Sequence, residues 1–197
     1  VASVRGDRHY LHHGPEAFED GTPDYLSAPA IEIGLNHIAK IGYAVIHSRV
    51  ESLTGWLLEQ LGALRHDNGL ALVRIYGPLT TEARGGTVAF NFFDMDGRFI
   101  DHRTVEDRAN DMKISLRTGC FCNPGGGEVA LGMSEEELSA CFSGTPSGLT
   151  LDDFRQCIDD KSTGAVRISF GLVSNFADAY HFMRFASRFL DKRAIEI

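Results

Sequence analysis

From residue 24 to residue 65 the sequence keeps one hydrophobic period, that of an α-helix, and breaks it once, at Gly42. Leu26, Ala30, Ile33, Leu35, Ile38 and Ile41 follow helical spacing up to that glycine. Val45, Ile46, Val50, Leu53, Leu57, Leu58, Leu61 and Leu64 resume it beyond. The stripes predict two helices, over 24–41 and 44–65, each with an apolar face that another layer must cover. Further on the period changes. Short strand-like runs at 72–76, 87–93, 98–100, 114–117 and 166–170 are punctuated by Gly77-Pro78 and by the hairpin signal Asp94-Met95-Asp96-Gly97. Helical patterns recur over 104–112, 134–142, 151–159 and 176–191, the last capped by Ser174 or Asn175. Residues 1–20 read as irregular after the strand-like VASV. Helices followed by antiparallel strands with helices packed to one side make an α+β fold rather than a doubly wound sheet.

Composition narrows the partners. With 197 residues, 43% of them apolar, the chain can bury about 70% of its unfolded surface. Acidic residues outnumber basic ones 27 to 19, and no basic block stands among them, which argues against a nucleic-acid groove. No stretch is long and apolar enough to span a membrane, and the opening residues lack the pattern of an export signal. Four cysteines, two of them at C-x-C spacing, suit a reducing cytoplasm better than a disulfide scaffold.

Three segments could carry chemistry. In Leu116-Arg117-Thr118-Gly119-Cys120-Phe121-Cys122-Asn123-Pro124-Gly125 a strand ends at an arginine and enters a glycine-rich loop, 118–127, holding two thiols. A thiol at the tip of such a loop is exposed, and a neighbouring arginine favours its nucleophilic thiolate form. A half-buried cysteine pair is the plainer alternative, and a zinc site lacks its further ligands. In Gly164-Ala165-Val166-Arg167-Ile168-Ser169-Phe170-Gly171 an arginine sits in an apolar strand, either as a fork for a carboxylate or as an edge residue facing solvent. In Phe18-Glu19-Asp20-Gly21-Thr22-Pro23-Asp24 a hydroxyl stands beside a helix start, as a phosphate contact or an ordinary cap. His9, His12 and His13 lie in a polar segment without spaced partners and read as surface residues. Cys141 and Cys157 read as packing.

The order FEDGTPDYLSAPAIEIGL, RGGTVAFNF, ISLRTGCFCNPGGG, GAVRISFGLVSNFADA resembles the class V aminotransferase family of pyridoxal-phosphate enzymes. Within it the likeness is to cysteine desulfurases, particularly the desulfurase-like domain of molybdenum cofactor sulfurases. It runs from about Phe18 to Leu190 and is weakest over 128–163. The resemblance implies that Cys122 takes sulfur from L-cysteine as a persulfide, with Cys120 a secondary thiol. It implies that Arg167 binds the substrate carboxylate, that Arg117 lines the same pocket, and that Gly21 and Thr22 contact the cofactor phosphate across a dimer interface. The fold it implies is the small C-terminal domain of a fold-type I enzyme, a mixed or antiparallel sheet with helices on one side, plus the preceding long helices. Residues 1–42 would close the large cofactor domain, 43–68 would connect, and 69–197 would form the small domain with the cysteine loop.

The chain holds four lysines, Lys40, Lys113, Lys161 and Lys192, and none stands in a context matching the family's Schiff-base lysine. That lysine is expected on an upstream segment of a longer enzyme or on a partner chain, and the complete enzyme is expected to be a cytoplasmic homodimer. Other class V chemistry (a C–S lyase, an epimerase or a transaminase) and a non-catalytic sulfur-relay module are the competing expectations.

Overall fold

The computed structural model describes residues 2–4, 6–18, 21–119, 121–136, 139 and 164–197. The helix expected over 151–159, most of that over 134–142, and Cys120, Cys141, Cys157 and Lys161 lie outside them. The chain forms two compact units, Val1–Val45 and Ile46–Ile197.

In the first unit β1 (Ala2–Val4) pairs antiparallel with β2 (His9–Leu11), Ser3 opposite Tyr10. The sequence reads as irregular there because every residue of β2 is exposed and no apolar alternation marks it. The first long helix, α1 (Ala28–Ile41), starts at Ala28 rather than at 24. The Asp24 carboxylate accepts the Ser27 N–H at 3.2 Å, holding a turn ahead of the helix, and Pro29 occupies the first helical turn, where its missing N–H costs nothing. Gly42 ends α1 with φ 94°. No residue of α1 is buried.

α2 (Tyr43–Ala63) carries its apolar stripe into the second unit and buries Leu53, Leu57, Leu58 and Leu61. There it meets a four-stranded antiparallel sheet in the order β3 (Val73–Tyr76), β4 (Thr87–Phe92), β6 (Ala165–Ser169), β5 (Arg117–Gly119). Val88, Phe90, Phe92 and Val166 point to one face and are at most 1% exposed, packed with α2, α3 (His102–Asp111) and α5 (Phe176–Ala186). This is the α+β architecture that the change of period implies. Phe92 stacks on Phe189 at 4.6 Å and meets Phe185 edge-on, so α5 and the turn after it are locked to β4 through aromatic rings. Asn175 caps α5 by accepting the N–H groups of Ala177 and Asp178, and Asp178 returns the bond to Asn175. That capping box fixes the helix start; the helix itself ends at Ala186 and tightens into one 3-10 turn, Ser187–Phe189.

Two strand boundaries also differ from the sequence pattern. The run at 114–117 is not the strand: β5 begins at Arg117, held to α3 by the Thr118 hydroxyl, which donates to Glu106 at 2.6 Å. The return strand at 98–100 shrinks to one bridge, Phe93 opposite Phe99. Asp94 explains the second difference. Its buried carboxylate accepts the N–H groups of Asp96, Arg98 and Ala194 at 2.8–3.1 Å, committing the Arg98 donor of that run to a side chain instead of a ladder. His66, 3% exposed, secures the same corner: its Nδ1 accepts the Asp191 N–H, so its Nε2 carries the proton and donates to the Phe93 carbonyl.

Burial alone would raise the Asp94 carboxyl, but the N–H donors of Arg98, Ala194 and Asp96 outweigh it and hold the group below its ordinary value. A depressed folded value stabilises the fold fully above the unfolded aspartate range and loses that contribution as the pH falls through the folded value. Asp94→Ala is expected to cost about 1.5–3 kcal/mol at neutral pH and to flatten the loss of stability on acidification, both read from urea unfolding between pH 7 and pH 3.

Candidate functional site

The cysteine loop leaves the sheet at Gly119, the last residue of β5, with φ 106°. Close packing requires a glycine partner across the pair: a Cβ on Gly164 would lie 2.7 Å from the Gly119 Cα, nearer than any real contact. Phe121 and Cys122 then take φ 54° and 55°, a left-handed conformation that residues with a Cβ occupy at a cost. The turn leaves Cys122 exposed, immediately ahead of α4 (Pro124–Leu131). Asn123 caps α4 by accepting the Gly126 N–H at 3.2 Å. The last four residues of the expected glycine-rich loop, 124–127, are therefore helix. Three consecutive glycines hide it, each costing about 1 kcal/mol of helix propensity relative to alanine, while Asn123-Pro124 is the cap-and-first-turn signal that reveals it.

The other face of the sheet carries the polar groups. Because side chains alternate along a strand, burying Val88, Phe90 and Val166 sends Tyr76, Ala89, Arg167 and Arg117 to the opposite face, where the register sets them in one row across all four strands. Arg167 and Arg117 are directly opposite each other, a like-charge pairing that costs roughly 0.2–1 kcal/mol. Among the described residues neither guanidinium meets a carboxylate. The Arg167 guanidinium lies over the Phe121 ring, 4.8 Å from its centroid, and its Nε is buried without a hydrogen-bond partner among the described residues. Arg117 is exposed. Two adjacent cations, one of them steadied by an aromatic ring next to the thiol-bearing residue, are built to receive an anion.

Tyr76 and Asn91 belong to this face and escape the sequence reading. Asn91 is 1% exposed, and its Nδ2 donates to the Tyr76 hydroxyl oxygen at 3.0 Å and to the Gly164 carbonyl at 3.1 Å. Burial pushes the Tyr76 phenol above its ordinary value, against the opposing pull of the Asn91 bond and the Arg74 charge, so the hydroxyl keeps its proton at neutral pH. The available signal was an amide inside the apolar run Thr87-Val88-Ala89-Phe90-Asn91-Phe92.

Gly21 and Thr22 lie in the first unit, exposed, with Gly21 at φ 142°. Since α1 begins at Ala28, Thr22 does not stand at the helix N-terminus that the sequence suggests. Lys40 lies in the last turn of α1, Lys113 sits in the turn before β5 at φ 60°, and Lys192 follows α5; none belongs to a strand of the four-stranded sheet. His9, His12 and His13 are exposed. A separate cleft of about 240 Å³, lined by Arg108, Met112, Arg188 and Lys192, opens beside α3 and α5 on the helical side, away from the thiol.

Solved structures that share this α+β arrangement include cysteine desulfurases. The apo enzyme of Thermococcus onnurineus NA1 matches with TM-score 0.56 at 22% identity, over 94% of this chain and 36% of that one. Escherichia coli CsdA matches with TM-score 0.54 at 16% identity, over 98% and 36%. The chain belongs to the aminotransferase class-V family, whose sequence profile matches residues 1–182, a family that depends on pyridoxal phosphate. Its relatives include the molybdenum cofactor sulfurases of Solanum lycopersicum, 41% identical over 170 residues, and of Arabidopsis thaliana, 39% over 174 residues. Each match covers 86% of this chain but only 20% and 21% of the relative, so the chain spans about a fifth of the length of those proteins.

Gly164→Ala is expected to push β6 from Gly119 and cost about 1–3 kcal/mol, the range for overpacking a filled site. Thermal unfolding measures it; a melting temperature unchanged by the added methyl would contradict the contact.

Proposed function

We propose that this chain is the sulfur-handling part of a pyridoxal-phosphate-dependent cysteine desulfurase-like enzyme, one that mobilises sulfur from L-cysteine as a persulfide on Cys122. The observation that carries this is the exposed Cys122 thiol, raised on a left-handed turn whose preceding ring stacks on Arg167. Arg167, with Arg117 beside it, would bind the substrate carboxylate by charge-assisted hydrogen bonds. The Cys122 thiolate would then take the substrate sulfur: an S–S bond forms as the substrate C–S bond breaks, and the electron pair of that bond stays with the carbon, which is protonated to alanine. The exposed turn supports the last movement, because a persulfide carried there can be handed to an acceptor. Cys120, near it in sequence, would serve as a secondary thiol.

The residues present fit the substrate side of a pyridoxal-phosphate site. Thr22 makes no hydrogen bond among the described residues, leaving its hydroxyl, with the Gly21 N–H, available to a phosphate across a homodimer interface. Bound pyridoxal 5'-phosphate would supply the electron sink that weakens the substrate's C–S bond. None of the four lysines stands in a sequence context matching the family's Schiff-base lysine, so the anchoring lysine would come from the remainder of a longer enzyme or from a partner chain. The exposed apolar side chains of α1, among them Ile31 at 66% and Ile33 at 71%, support such a partner layer. The sulfurase names of the relatives support molybdenum cofactor as the acceptor, in a cytoplasmic enzyme.

In the full-length enzyme Cys122→Ser is expected to reduce persulfide formation by roughly 10³-fold or more, as loss of a nucleophile does, while the cofactor absorbance persists. Undiminished sulfur release would overturn the assignment, and pyruvate with ammonia in place of alanine would move the enzyme to an elimination chemistry. Arg167→Ala is expected to raise KM for cysteine by about 10²-fold, the loss of a buried charge partner, with cofactor affinity within twofold by equilibrium titration. Equal loss of both would mark the arginine as structural.

A further inference from the structure

Asn91 is an expensive residue to place where it sits. Its neighbours Phe90 and Phe92 are fully buried, and an amide taken out of water is stabilised only by the hydrogen bonds it keeps. A carbonyl can only accept, so the group facing Gly164 is the Asn91 NH2, which divides its two donations between the Gly164 carbonyl and the Tyr76 hydroxyl oxygen. The Asn91 Oδ1 is buried with no partner among the described residues, so among them these two bonds are the hydrogen bonds that orient the amide. Gly164 is buried and touches the Gly119 backbone more closely than any side chain would allow. Gly119 in turn is where the chain turns out of β5 toward Phe121 and Cys122. A continuous contact path therefore runs from Tyr76 on one edge strand, through Asn91 and Gly164, to the base of the cysteine loop at the other edge strand.

We propose that Asn91 and Tyr76 are positioning residues for Cys122: Asn91, aimed by Tyr76, fixes Gly164 and through it the exit of the cysteine loop from β5. The proposal rests on Cys122 as the sulfur nucleophile. It goes further by naming two residues on the far strands that set where the thiol stands without touching substrate. Misplacing a reacting group by about 1 Å can cost 10²-fold in rate, and the contact of Gly164 with Gly119 has no slack to absorb such a shift.

The test uses the full-length, cofactor-loaded enzyme with Asn91→Ala, Tyr76→Phe and, as a control on the same sheet face, Thr87→Ala. Backbone amide exchange is followed by mass spectrometry, and kcat and KM for cysteine are measured alongside. In Asn91→Ala, exchange over residues 119–123 should rise at least tenfold while β4 and α5 stay within twofold. The kcat should fall by roughly 10- to 100-fold, with KM within threefold. Tyr76→Phe removes one of the two bonds and keeps the ring, so it should move both readouts the same way by a smaller amount, and it decides the matter if Asn91→Ala does not fold. Thr87→Ala should match the wild type. Exchange that rises equally across the sheet would reduce Asn91 to a structural amide. A KM that rises with kcat unchanged would make the pair a direct substrate contact, and no change in either readout would remove it from the site; each result overturns the proposal. The exchange measurement is independent of the reaction: a wild-type enzyme releasing no sulfur from cysteine would overturn the proposed function, and loop exchange would still decide the positioning.

Discussion

Phe90 and Phe92 of β4, flanked by Val88 and by Val166 of β6, bury themselves against α2, α3 and α5. The polar row on the reverse face of the sheet is arranged by that burial. Each such side chain contributes about 1.5–3 kcal/mol when removed from water. The direct juxtaposition of Arg117 and Arg167 on the reverse face costs only about 0.2–1 kcal/mol. The hydrophobic face therefore dictates the register, and the two arginines accept the consequence. A one-residue slip of β6 would bring Arg167 among the phenylalanines and Val166 into the open, so the position of the guanidinium is as firmly set as the core itself.

The thiol is placed by a different device. Where the sheet relies on burial, the cysteine loop relies on backbone geometry: a glycine pair too close for any Cβ, two left-handed residues, and a helix cap that stops the turn from unwinding. Local strain of this kind persists only where the surroundings over-determine it. Here the surroundings are named: β6 on one side through Gly164, α4 on the other through Asn123, and the Thr118–Glu106 bond beneath. The result is an exposed sulfur, one residue on from the ring that carries a cation which no carboxylate of the described residues neutralises.

Much of this was legible in the sequence, and the misses have physical causes. The helical period after Gly42 and the short strand-like runs that follow it announced the α+β fold, because in α2 and the sheet those patterns arise from the burial that stabilises the elements. Boundaries failed where side chains diverted backbone donors: Asp24 delayed α1, and Asp94 took the Arg98 N–H that a strand at 98–100 would have used. α4 was hidden by its glycines. Cys122 and Arg167 stood out as chemistry in an unusual setting, whereas Asn91 and Tyr76 did not, since an amide and a phenol in strands have many uninteresting explanations.

The amino-acid sequence by itself determined the layers, the presence of a thiol loop and an arginine-bearing strand, and the absence of any lysine in the family's context. It did so because periodicity and residue type are local properties. Only the tertiary structure decided that Arg117 faces Arg167, that Phe121 carries the Arg167 guanidinium, and that Asn91 joins Tyr76 to the strand supporting the cysteine loop. Those relations depend on strand order and register, which pair residues far apart in the chain. The sheet order β3-β4-β6-β5 places the last strand of the sequence between earlier ones, so no local pattern could have brought these groups together.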